Sequence, residues 1–206
     1  MKIRLLLLCA AGVCGAFAGQ IQLSDIVSPT TETYTGIGGL FPSTCGGVPC
    51  QTSLPLTING NSYSTDNGSL RYFASNSGCP GGDSTCLNDF SDLGFIDIIL
   101  GSAVPAVGGL VNPGNVEFDF FDAGNNLLGT VTVSSANGFG GWADPGGIKE
   151  VKVIDHNSDQ SSFFFDSLTT GSVRQQTPPS GTPEPGSVVL IGAGMLMVGV
   201  ARRKRL

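Results

Sequence analysis

Between residues 19 and 173, apolar residues come in short runs, each cut off by Gly, Asn, Asp, Ser or Pro. That punctuation predicts strands, and no stretch keeps a helical period over three turns. The clearest unit runs from Val116 to Val133. Val116, Phe118 and Phe120 alternate with Glu117 and Asp119, and Val131 and Val133 alternate with threonines, on either side of Asp122-Ala123-Gly124-Asn125-Asn126. Period-two alternation on both arms of a turn predicts a hairpin with one buried face. Further strands are expected at 21–27, 54–58, 70–74, 94–100, 148–154 and 163–168. Eight or so short strands predict an all-β fold, a two-sheet antiparallel sandwich of jelly-roll-like form.

Composition narrows the class. The chain has 206 residues, 40% hydrophobic and only 13% charged, with 31 Gly and 12 Pro. This is too apolar for a disordered chain and too poor in charge for a coiled coil. The formal net charge of −6 is unevenly distributed. Lys2 and Arg4 open the chain and Arg202, Arg203, Lys204 and Arg205 nearly close it; residues 19–182 hold four basic and fifteen acidic residues, a net −11. A body of that sign repels phosphate backbones, so nucleic acid is excluded as a partner.

The basic ends read as addresses. Residues 1–18 have a basic start, an apolar run from Leu5 to Val13 and the small-residue triplet Ala16-Phe17-Ala18. This is the layout of a secretory signal peptide cut by signal peptidase before Gly19, and its apolar run is too short to span a membrane. The β body is expected over 19–173, followed by a Pro/Ser/Gly linker at 174–182. Residues 183–206 then present Pro183-Glu184-Pro185, an apolar span at 188–201 and the basic tail Arg202, Arg203, Lys204 and Arg205. A helix over 186–201 would be about 24 Å long, short of the roughly 30 Å hydrocarbon core. The basic tail should stay cytoplasmic, leaving the body outside.

This tripartite ending resembles the PEP-CTERM sorting signal of exported bacterial proteins. The resemblance implies recognition by an exosortase, transient residence in the inner membrane through the C-terminal hydrophobic helix, and release to the cell surface or extracellular matrix of a Gram-negative-type bacterium, often within exopolysaccharide or biofilm. A plain single-pass anchor is the alternative. The stretch 120–130, then Gly140-Gly141-Trp142, 148–154 and Phe165-Asp166-Ser167-Leu168, is similar to the closing part of many PEP-CTERM bodies. That similarity, over roughly residues 94–170, implies half of a sandwich.

Four cysteines remain after export: Cys45, Cys50, Cys79 and Cys86. An even number in an exported chain predicts disulfides, and the short Gly/Pro-bearing loops favour Cys45–Cys50 and Cys79–Cys86. Crossed pairing and a four-thiolate zinc site are alternatives, although the spacing is looser than zinc sites use. The one histidine, His156, has no Gly-x-Ser-x-Gly partner motif, so an enzyme is not expected. Asp119, Asp122, Asp155, Asp159 and Asp166 lie among asparagines in the C-terminal half and form a candidate Ca²⁺ set. Trp142, in the glycine-rich segment Phe139-Gly140-Gly141-Trp142 read as a loop, is a candidate for stacking on sugar, beside Tyr34, Tyr63 and Tyr72. The sequence thus favours a structural or adhesive protein of the exopolysaccharide matrix, with a carbohydrate-binding module as the alternative.

Overall fold

The computed structural model describes residues 18–45, 47–74, 79–82, 85–89, 93–157 and 163–174. The expected signal peptide apart from Ala18, the linker beyond Arg174, Pro183, Glu184, Pro185 and the basic tail all lie outside the described residues, as does Asp159. No helix among the described residues is long and apolar enough to cross a membrane.

Among the described residues, thirteen strands and three short 3-10 turns follow one another. The strands are β1 (Gly19–Gln20), β2 (Ile26–Glu32), β3 (Ser43–Cys45), β4 (Val48–Gln51), β5 (Leu56–Ile58), β6 (Asn61–Thr65), β7 (Leu70–Ala74), β8 (Thr85–Asp89), β9 (Phe95–Asn112), β10 (Val116–Phe121), β11 (Leu127–Val133), β12 (Gly138–Asp155) and β13 (Phe164–Val173). Every pairing is antiparallel. The predicted hairpin is there as β10–β11, its register running from Val116↔Val133 to Phe121↔Leu127.

Two strands hold the layers together. The second half of β12 pairs with β10 and with the start of β9, which in turn pairs with β6. The first half of β12 pairs with the end of β9, which continues to β13. One layer is therefore β11-β10-β12-β9-β6-β5. The other begins at β1 and runs through the far halves of β12 and β9 to β13, then to β2 and to β8-β7-β4-β3. Strands that cross between layers must bend, and both do so where pairing is interrupted. In β12 the corner is Asp144-Pro145-Gly146-Gly147, between Ala143 and Ile148. Asp144 Oδ1 accepts from the Gly146 amide at 2.6 Å, and Gly147 takes φ +93°, a conformation that glycine adopts without penalty. In β9 the matching corner is the exposed run Gly101-Ser102-Ala103.

Corner and strand together revise one expectation. Phe139-Gly140-Gly141-Trp142 is not a loop but the first half of β12. Its glycines make hollows for rings. A Cβ on Gly140 would stand 2.3 Å from the Phe118 ring, and one on Gly129 would stand 2.3 Å from the Trp142 ring. On the other face, Phe139 covers Gly108 and Gly141, where an added Cβ would come within 2.4 Å of its ring. Glycine in mid-strand weakens local preference but lets another layer's side chains close in.

The core lies between the layers. Val116, Phe118, Phe120, Ile96, Ile98, Val151 and Val153 face Val107, Val111, Phe165, Leu168 and Leu87, all buried. Phe118 stands 6.4 Å from Phe165 across the interface, centroid to centroid. The cysteines pair within each loop, Cys45–Cys50 and Cys79–Cys86, so the crossed pairing and the four-thiolate zinc site are ruled out.

Candidate functional site

The described members of the predicted Ca²⁺ set, Asp119, Asp122, Asp155 and Asp166, do not converge. Asp119 points out from β10 and accepts a 2.6 Å hydrogen bond from Thr130. Asp122 closes the β10–β11 turn, its Oδ1 accepting from the amides of Gly124 and Asn126 at 2.8 and 2.9 Å. These bonds hold its carboxyl below the usual range, the Asn126 side chain contributing most. Asp155 is buried and accepts from the backbone and side chain of Asn157. Asp166 is buried and accepts from the Ser167 amide at 2.7 Å. Among the described residues, no three His, Cys, Asp or Glu side chains come together to hold a metal ion. His156 lies 3.7 Å from Glu117, half exposed.

Trp142 points inward. It sits over Gly129 and stacks on Phe120 at 6.1 Å, so one ring face is taken by the core. Of the other aromatic candidates, Tyr34 and Tyr63 are fully buried and Tyr72 stacks on Phe41 at 5.2 Å.

The strands instead build an open groove of about 380 Å³ where β9 leaves the first layer. That volume falls within the roughly 300–1,000 Å³ of small-ligand sites. Three elements meet there. β2 and β13 pair Thr30↔Thr170, Thr31↔Thr169 and Glu32↔Leu168, giving one wall of hydroxyls and a carboxylate. The β5–β6 turn, Asn59-Gly60, has both residues at positive φ, as a two-residue hairpin turn requires. The β9 corner packs onto that turn: Gly101 donates its amide to Asn61 Oδ1 at 2.9 Å, and a Cβ on Gly101 would meet the Gly60 carbonyl at 2.8 Å. Half-buried Val104 supplies apolar surface among these polar groups, over a floor made by the buried Leu100 and Leu168.

Glu32 is the charge in this groove. Its Oε2 accepts a 2.7 Å hydrogen bond from Asn61 Nδ2. Oε1 is shut off from solvent and lacks a bond of good geometry, although the Tyr63 hydroxyl and Asn59 lie near enough to favour the ionised form. Behind it, the Tyr63 and Tyr34 hydroxyls share a 3.2 Å bond inside the core. Burial pushes the Glu32 carboxyl above its ordinary range, and Asn61, Tyr63 and Asn59 draw it back in part. Burial also keeps both phenols protonated. Sequence reasoning missed Glu32 because one carboxylate makes no motif. The Asn59-Gly60 dipeptide was the legible signal for this end of the sandwich.

A carboxyl pair, Asp97 and Glu150, lies on the outer face of the first layer, where Asp97 and Lys152 are cross-strand partners. Burial raises Asp97, and burial and then repulsion from Asp97 raise Glu150. Acids with raised folded values bind more protons folded than unfolded. Their contribution is fully present below the ordinary carboxylate range near about 4 and is lost as pH rises through the folded values. The melting temperature should therefore fall from mildly acidic to neutral pH. Asp97→Asn should flatten that slope; a slope unchanged in the variant would refute the assignment.

No protein-family model matches the chain, and no curated protein matches it. Among solved structures, the chain is similar to the K2 cleaved adhesin domain of Lys-gingipain, with TM-score 0.44 and 13% identity over 69% of this chain and 99% of that one. It is also similar to a family 6 carbohydrate-binding module, with TM-score 0.35 and 13% identity over 54% and 87%. A glycoside hydrolase family 43 arabinoxylan arabinofuranohydrolase from Bacillus subtilis, in complex with cellotetraose, gives TM-score 0.32 and 16% identity over 65% of this chain, which spans 30% of that one. At such scores and identities these likenesses bear on neither activity nor ligand.

Proposed function

We propose that this chain is an exported, jelly-roll-like sandwich that binds saccharide through the Glu32 groove and serves an adhesive role in the extracellular matrix. The groove carries the reading. Its walls offer hydroxyl and amide groups from Thr30, Thr31, Thr170, Ser102 and Asn59, with the half-buried Val104 as the apolar side chain among them. A sugar presents the complementary surface, hydroxyls around a ring with apolar C–H faces, and such sites take their specificity from a few placed polar groups. Two disulfides support a working life in an oxidising compartment and so agree with export. Delivery follows from the sequence: signal peptidase removes residues 1–18, and an exosortase acts at Pro183-Glu184-Pro185 while the basic tail holds the chain at the inner membrane.

A glycan array probed with the secreted protein tests the groove. Thr170→Arg or Ser102→Arg should block it and reduce retention of bound glycans at least about tenfold, or about 1.4 kcal/mol. Melting should move little, because surface substitutions usually stay within about 0.5 kcal/mol. Glycan retention that both plugs leave intact would sink the reading. For delivery, a tag on the C-terminal tail should be lost only in cells that contain the exosortase.

A further inference from the structure

We propose that the groove recognises a saccharide bearing a free amine, with Glu32 as the group that receives the ammonium; this rests on the saccharide reading above. Glu32 is a half-buried carboxylate, and the groups that bear on it are Asn61, Tyr63 and Asn59, none of them cationic. It appears in no ion pair among the described residues. Lys149 stands beside this corner, but its Nζ donates to the Leu100 backbone carbonyl, and it does not line the groove.

A buried charge is normally compensated by an opposite one, and none of the described residues provides one to Glu32. Neutral hydrogen bonds hold the carboxylate in place: Asn61 grips Oε2 while Gly101 grips Asn61. With Oε1 shut off from solvent, a ligand ammonium would complete the pair at Oε2, beside the Asn61 amide, through a charge-assisted hydrogen bond roughly twice as strong as a neutral one. A single carboxylate balances a single ammonium. A divalent cation would keep an excess positive charge, because Glu32 is the single carboxylate lining the groove. An anionic, uronate-bearing glycan would instead meet Glu32 and a body of net charge −11.

The test uses the secreted protein near neutral pH and low salt, titrated with hexamers of β-1,4-linked glucosamine, N-acetylglucosamine, glucose and galacturonate. The glucosamine hexamer should bind most tightly, and its advantage should shrink at high salt. Glu32→Gln, which keeps the shape and removes the charge, should lower glucosamine affinity about tenfold or more and glucose affinity by much less, so that the preference for the amine collapses. Glu32→Asp keeps the charge and should retain part of the amine preference; it also covers a Gln variant that fails to fold. If N-acetylglucosamine or glucose binds equally well and Glu32→Gln changes nothing, the amine proposal is overturned while the saccharide reading stands. Binding of none of the hexamers overturns both, as does Glu32-dependent binding of Ca²⁺ with no sugar bound.

Discussion

Gly140→Val is expected to destabilise the sandwich by about 3 kcal/mol, at the upper end of ordinary overpacking. The added side chain starts 2.3 Å from the Phe118 ring, far inside van der Waals contact. Phe118 cannot swing away, because it is fully buried, stacked on Phe120 at 6.2 Å and tilted against Phe165 at 6.4 Å. For a body of this size, each kcal/mol moves the midpoint by about 2–4 °C, so the melting temperature should drop by roughly 6–12 °C. Phe118→Ala alone should cost about 3–5 kcal/mol through its cavity. The double variant is the decisive measurement. Valine at 140 would occupy part of the space that Phe118 leaves, so the combined loss should fall short of the sum of the singles by about 1 kcal/mol or more. Strictly additive losses would mean that Gly140 and Phe118 do not share one space, and the inter-layer packing described above would be wrong.

That packing also explains which parts of the fold could be read in the chain. The β10–β11 hairpin was legible because its alternation is local: Phe118 and Phe120 face a dry interior while Glu117 and Asp119 face water. For β9 and β12 only one half of each was legible. Residues 94–100 and 148–154 have alternating or Val-rich patterns, whereas Gly138–Trp142 and Gly108-Gly109 read as breaks. Those glycines are required by rings such as Phe118 and Phe165, which are distant in the chain, and no local propensity records that need. The four described aspartates show the converse, nearness in the chain without nearness in the fold. Asp119, Asp122, Asp155 and Asp166 are near in sequence, but an outward strand position, a turn and two separate buried sites keep them apart. The Glu32 groove depends on residues from β2, the β5–β6 turn, the β9 corner and β13. Its chemistry exists only once the corner at Gly101 has folded onto Gly60.

The two disulfides should differ in what their loss does, although both close short loops. In the chain-entropy account, a loop of six to eight residues contributes about 2–2.5 kcal/mol. Cys79 and Cys86 are both buried, so Cys79→Ala/Cys86→Ala also leaves unfilled space, adding about 1 kcal/mol. Cys86 sits in β8, which pairs along its length with β7 and reaches β13 through Phe165↔Leu87. Disturbing it disturbs the centre of the second layer, so a global loss of about 3 kcal/mol or slightly more is expected. Cys45–Cys50 lies at the far end of the same layer, across the short β3–β4 pair. Cys50 is buried and β4 holds to β7 at only Cys50↔Arg71 and Gln51↔Leu70, while β3 ends the sheet order with Ser43 and Thr44 exposed. Such edges open locally at free energies below the global value. Cys45→Ala/Cys50→Ala should therefore expose 43–51 to hydrogen exchange and proteolysis while moving the global midpoint less than the other pair does. Equal global losses, with no local gain in exchange at 43–51, would contradict the placement of β3 and β4 as a separable edge. The outcome bears on function as well. The groove is built on β2, β6, β9 and β13, so the Cys45–Cys50 variant should keep its saccharide affinity while the edge frays.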